Sequence, residues 1–140
     1  MKDQSNIMPN VAYQIEHLQN GTAEILFTEN VKEIIRKDST EYEYDQYRLV
    51  VADRTTLNAN IEANYDKWLQ YAKDMEIDQI GGELRVKRTK LLAETDWTQS
   101  TDSPLPLTKK AEWAAYRQAL RDMPEQQEFP YDVRWPELPK

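Results

Sequence analysis

The first fifty residues alternate. Val11, Tyr13 and Ile15 take every second position against Ala12, Gln14 and Glu16, the period of a strand with one face buried. Asn20-Gly21 follows, a strong hairpin signal. Ala23 to Thr28 reads as a second strand and Val31 to Arg36 as a third, with Glu29-Asn30 as the turn between them. Lys37 to Thr40 reads as a further turn. In Glu41 to Val51 the apolar parity changes: Tyr42 and Tyr44 fall on one face, Tyr47, Leu49 and Val51 on the other. Such a change marks a β-bulge, or a strand buried on different faces at its two ends. The pattern predicts a small antiparallel meander of three or four strands that needs cover on one face.

From residue 55 the period lengthens. Leu57, Ile61, Tyr65, Trp68, Leu69 and Ala72 fall at 3–4 spacing on one stripe, opposite Asn58, Asn60, Glu62, Asp66, Lys67 and Lys73. A helix is predicted here, capped by Thr55 or Thr56, with its apolar stripe on the sheet. A break is expected between Asp74 and Gly82, with Gly81-Gly82 as its flexible point. Ile77 and Ile80 keep helical spacing with Leu84, so the break is short. Helix resumes over 83–94 with a thin stripe of Leu84, Arg88, Leu91 and Leu92. Such a stripe suits packing against another chain or a plain surface helix. Beyond it, Ser103-Pro104-Leu105-Pro106-Leu107 is an extended connector. Thr108 is the expected cap of a short helix from Lys109 to Asp122, with Trp113, Tyr116, Arg117 and Leu120 on one face. Pro124 ends it. The rest, with Pro130, Pro136 and Pro139, is extended and folds back over the short helix to bury its aromatic residues.

The fold class is therefore α+β: an N-terminal antiparallel meander, amphipathic helices, and a short helix with a Trp/Pro-rich tail. The expected division is a sheet-plus-helix domain over 1–82, a linker helix over 83–94 and a Trp/Pro-rich module over 95–140. That last part holds three of the four Trp and six of the seven Pro.

Composition narrows the chemistry. Cysteine is absent, which excludes disulfides, thiol nucleophiles and Cys-bound zinc. His17 is the sole histidine and sits in the alternating strand Tyr13 to Leu18, where it reads as a surface residue. Carboxylates are plentiful, for example Glu41, Glu43 and Asp45, but an acid–base site needs one raised by burial, and this run is exposed in pattern. Asp96 and Asp102 match no calcium loop. No catalytic residue, metal ligand or cofactor is assigned, and the chain reads as a non-enzyme. The 18 Lys and Arg against 25 Asp and Glu leave a net charge of −7, against general nucleic-acid binding. The basic stretch Arg85 to Lys90 is read as a solvated helix face or a dock for an acidic partner. No apolar run spans a membrane, and Met1 to Asn6 lacks the apolar segment of a signal peptide, so the expected location is the cytoplasm of the cell that makes it.

One stretch carries a resemblance. Arg88-Thr89-Lys90-Leu91-Leu92-Ala93-Glu94-Thr95-Asp96-Trp97-Thr98-Gln99 leads into Trp113-Ala114-Ala115-Tyr116-Arg117-Gln118-Ala119-Leu120-Arg121-Asp122, then Phe129-Pro130, then Trp135-Pro136. From Arg85 to Lys140 this resembles the C-terminal module of the phage tail assembly chaperone family, which is also similar to the end of tail-fibre assembly proteins. Where that pattern has Gly before Phe-Pro, this chain has Gln127-Glu128. The resemblance implies a virus protein of tail building: a baseplate or tail-fibre-associated component that stays in the virion tail, or an assembly factor that leaves. It implies a tail-fibre or baseplate protein as partner and leaves homo-oligomers open. Trp97, Trp113, Tyr116, Arg117, Arg121, Phe129 and Trp135 are the candidate partner-binding residues. They supply the aromatic area and guanidinium groups typical of interface hot spots, and equally the anchors of a mini-core. Arg117 and Arg121 are placed to stack on Trp rings or to pair with Asp96, Asp122 or Asp132. The alternative is a receptor- or glycan-binding module using Tyr42, Tyr44 and Tyr47 as an aromatic surface.

Overall fold

The computed structural model describes residues 1–9 and 12–140. Val11, the first residue of the alternating run, lies outside them. The described chain is α+β and divides into two units, Met1–Glu76 and Ile77–Lys140.

The first unit is one sheet covered by helix. Its strands are β1 (Lys2–Ser5), β2 (Ala12–His17), β3 (Thr22–Ile35) and β4 (Thr40–Ala52), in the spatial order β1-β4-β3-β2 with every pair antiparallel. The meander β2-β3-β4 is the expected one, and Gly21 (φ 77°) makes the turn where Asn20-Gly21 signalled it. β1 was not anticipated: Lys2-Asp3-Gln4-Ser5 has no apolar residue, and it is held by pairing with Tyr42 to Asp45.

Glu29-Asn30 is not a turn. β3 runs on through it, and the register advances three residues on β3 (Glu29 to Lys32) against two on β4 (Asp45 to Glu43). The extra residue is a bulge with Asn30 at φ 53°, a left-handed conformation that Asn tolerates better than most. Its side-chain amide donates to Asp45 Oδ2 at 2.7 Å. The bulge lies on β3 and not on β4, and the parity change in β4 is the second of the two expected forms, a strand half-buried on different faces at its two ends. β4 keeps its alternation, which leaves Tyr42 and Tyr44 on the face opposite Tyr47, Leu49 and Val51.

The helices cover that second face. α1 (Leu57–Ala63) and α2 (Tyr65–Glu94) bury Leu57, Ile61, Leu69 and Ala72 against Ala23, Ile25, Phe27 and Leu49, with Tyr13, Ile15, Tyr47, Tyr65 and Trp68 at the margin. Tyr13, Phe27 and Tyr65 form an aromatic trio with ring centroids 5.8–6.2 Å apart. Thr56 does sit at the N-cap of α1, but its hydroxyl makes no capping bond.

The expected break at Asp74–Gly82 is absent, and α2 is helical throughout. The interruption falls earlier, at Asn64, whose φ of −137° ends α1. Two glycines cost a helix of this length only about 1 kcal/mol each, which packing along its sides outweighs.

In the second unit, α2 ends at Glu94, a 3-10 turn covers Asp96–Gln99, α3 runs over Leu107–Asp122 and a second 3-10 turn over Met123–Glu125. α3 starts one residue before the expected cap, Thr108. Its N-cap is Pro106, whose ring carries no acceptor for the first amides. The remainder is turn and extended chain, including a cis Phe129–Pro130 peptide. The sequence-based boundary at 82 and the stretch 83–94 both fall within α2 and within this second unit.

Candidate functional site

The C-terminal unit is built around Arg117. This side chain is only 9% exposed. Its Nη1 donates to the Leu92 carbonyl at 2.6 Å and to Thr95 Oγ1 at 2.8 Å, and its Nη2 to Asp96 Oδ1 at 2.6 Å. The last carbonyls of an α-helix lack partners within it, and a cation there complements the helix dipole. Arg117 therefore closes the end of α2 and joins it to the following turn. Thr95 Oγ1 bonds back to Leu91 O at 2.9 Å, and the fully buried Thr98 donates to Thr95 O at 2.7 Å. Gln99 Nε2 reaches Thr98 Oγ1 and Lys110 O, both at 3.1 Å. The turn Asp96–Gln99 is thus bonded to α2 on one side and α3 on the other. From it Trp97 projects, 51% exposed.

α3 contributes Tyr116, Arg117 and Leu120 to the interior, next to Met123. Trp113 is half-buried and meets the Tyr116 ring edge-on at 5.7 Å. Burial pushes the Tyr116 hydroxyl pKa up, with the Glu94 charge as a lesser cause.

The tail lies on α2. A Cβ added at Gly81 would stand 3.3 Å from Phe129 Cε1, so the glycine is what lets that ring approach. The Arg85 guanidinium lies 5.3 Å from the Phe129 ring and the Lys87 ammonium 4.4 Å from the Trp135 ring. Gln126 closes the loop between these anchors: its amide donates to Arg134 O and accepts from Arg134 N, both at 2.9 Å. Two cations of the basic stretch Arg85–Lys90 are therefore engaged within the unit, over its own tail.

Of the residues proposed from sequence, Tyr116 and Arg117 are buried, Trp113, Phe129 and Trp135 are half-buried, and Trp97 and Arg121 are exposed. Arg117 takes Asp96 as its partner rather than a Trp ring. Gly81, Thr95, Thr98 and Gln126 were missed. Gly81 carried a signal, a glycine in a helical run, which was read as a break. The others are common polar residues whose roles arise only from packing.

In the N-terminal unit, Tyr42 and Tyr44 lie half-buried on one face of the sheet, while Tyr47 packs at the core margin on the other with Lys73 5.2 Å from its ring. The three tyrosines do not share a surface. His17 stands exposed at the end of β2 with Nδ1 2.9 Å from both carboxylate oxygens of Asp53. Among the described residues no group of three or more His, Asp or Glu is placed to hold a metal ion, and no helix is long and apolar enough to cross a membrane.

Residues 82–140 match the family described as phage tail assembly chaperone protein. The C-terminal part of the chain is similar to that family. The chaperone-family match spans the α2 end, the Asp96–Gln99 turn, α3 and the docked tail, and it begins one residue after Gly81. No curated protein and no solved structure matches the chain.

Proposed function

We propose that the chain acts in phage tail building by binding and not by catalysis, docking a baseplate or tail-fibre protein through its C-terminal unit. The observation that carries this reading is the family match over 82–140, which coincides with a unit whose Arg117 clamp and tail anchors are satisfied internally while Trp97 and Arg121 stay on the surface. A unit of this kind has little left to do by chemistry and much by contact: large aromatic and guanidinium groups dominate interface energetics. The sheet unit carries most of the negative charge, with 14 acidic against 8 basic residues in 1–76. It offers a second, acidic surface for self-association or for another tail protein.

Mass spectrometry of purified mature particles, set beside infected-cell lysate, separates the two forms of this proposal. A fixed copy number in particles makes the chain a virion component of the tail. Presence in lysate with absence from particles makes it an assembly factor that departs. Absence from particles together with no affinity for any tail protein of the same virus would overturn the proposal.

A further inference from the structure

Several apolar side chains of the C-terminal unit are exposed, among them Val86, Leu107 and Leu138. Trp97 differs from these in what lies beneath it. Its own turn is pinned through Asp96 and Gln99, its neighbour Thr98 is fully buried, and the Thr95 preceding the turn is bonded to both Arg117 and α2. The indole therefore projects from backbone that has already lost its freedom. A large aromatic group held this way loses little further entropy on docking, which is the signature of an interface anchor. Exposed carboxylates precede it in the chain. Asp96 is 66% exposed and Glu94 55% exposed, the latter meeting Lys90 only at 3.8 Å. The Arg117 guanidinium is buried and faces inward, and Lys110 Nζ is bonded to Ser100 O at 3.1 Å.

We infer that Trp97 is the anchor by which this chain docks another tail protein, entering an apolar pocket rimmed by Arg or Lys, and that Arg117 is the positioning residue that holds it in place. The inference rests on the proposed function and names the element that performs it. The exposed carboxylates of Glu94 and Asp96 flank the indole and meet the cationic rim, so affinity falls as salt rises. Arg117 does not touch the partner; its three bonds fix the turn that presents Trp97.

The test uses the full chain and, as probes, the tail proteins encoded by the same virus, each purified and titrated calorimetrically at low and high salt. Wild type is expected to bind one of them. Trp97→Ala should weaken that binding at least about tenfold with an unchanged melting temperature, and Asp96→Asn should weaken it less and flatten its salt dependence. Arg117→Lys should also weaken it, and the double variant Trp97→Ala/Arg117→Lys should bind no worse than Trp97→Ala alone, because the two act as one unit; simple destabilisation would add instead. If Arg117→Lys does not fold, Thr95→Val paired with Trp97→Ala runs the same cycle from the buried side of the clamp. Binding untouched by Trp97→Ala but lost in Leu107→Ala overturns this inference and leaves the proposed function standing. A self-association lost in Trp97→Ala makes a second copy the occupant and overturns the assigned partner. No binding by wild type to any tail protein overturns the proposed function itself.

Discussion

At the scale of single residues, the two adjacent glycines of α2 differ in what surrounds them. A Cβ at Gly82 meets nothing within 4 Å, whereas one at Gly81 meets Arg85 Nη1 at 3.1 Å and the Phe129 ring at 3.3 Å. Gly82→Ala should therefore gain about 0.5–1 kcal/mol from helix propensity, and Gly81→Ala less, because its methyl presses on Phe129. Urea unfolding of the two variants checks the order. Arg117→Met should cost about 1–2 kcal/mol, since it removes the guanidinium's bonds while the Leu92 carbonyl keeps Thr95 N–H, Thr95 Oγ1 keeps Leu91 O and Asp96 turns to water; thermal melting reads it. The type and spacing of Arg117 were legible in the sequence, and so was Asp96 as one of its possible partners. Its burial was not, because nothing local says that the end of α2 comes to rest against α3.

At the scale of elements, alternation was a good guide wherever one face is buried. β2, β4 and the Leu57–Ala72 stripe followed from it, and so did both halves of β3, though as two strands rather than one. It failed in two ways that have physical causes. β1 carries no apolar residue, so an edge strand held only by its backbone ladder leaves no trace in the pattern. The parity change in β4 reflected burial on different faces at its two ends, while the extra residue sits on β3, where Glu29-Asn30 read as a turn. Asn30 was the missing clue, taken for a turn residue when it was a bulge residue. Its φ of 53° predicts that Asn30→Gly is tolerated and that Asn30→Val, β-branched in a left-handed conformation, costs about 1–2 kcal/mol. A shift in the denaturation midpoint with an unchanged slope is the expected signature.

At the scale of the whole molecule, pH response has one direction in the sheet unit. Burial raises the hydroxyl pKa values of Tyr13, Tyr44, Tyr47 and Tyr65, and the hydrogen bond to Glu29 raises that of the Lys73 ammonium. A group whose folded pKa lies above its unfolded value contributes stability that is complete below the unfolded value and lost as pH climbs through the folded one. All five shifts are upward, so this unit should keep its stability through neutral pH and lose it above about pH 10. Far-ultraviolet circular dichroism followed together with tyrosinate absorbance should show the two changing together; a loss of fold near neutral pH contradicts the account. The α+β class and the C-terminal module were visible in the sequence. The seat of the tail on α2 was not, because cation–π contacts and a side-chain amide closing a loop have no periodicity to display.

That seat bears on anyone who would transplant the module. The segment recognisable as chaperone-family begins at residue 82, while the glycine that admits the Phe129 ring is residue 81. A graft cut at the recognisable border would place whatever residue ends the host sequence under that ring. A side chain there crowds Phe129 at its first anchor, the more so the larger it is, and a chimera starting at Ile77 avoids this.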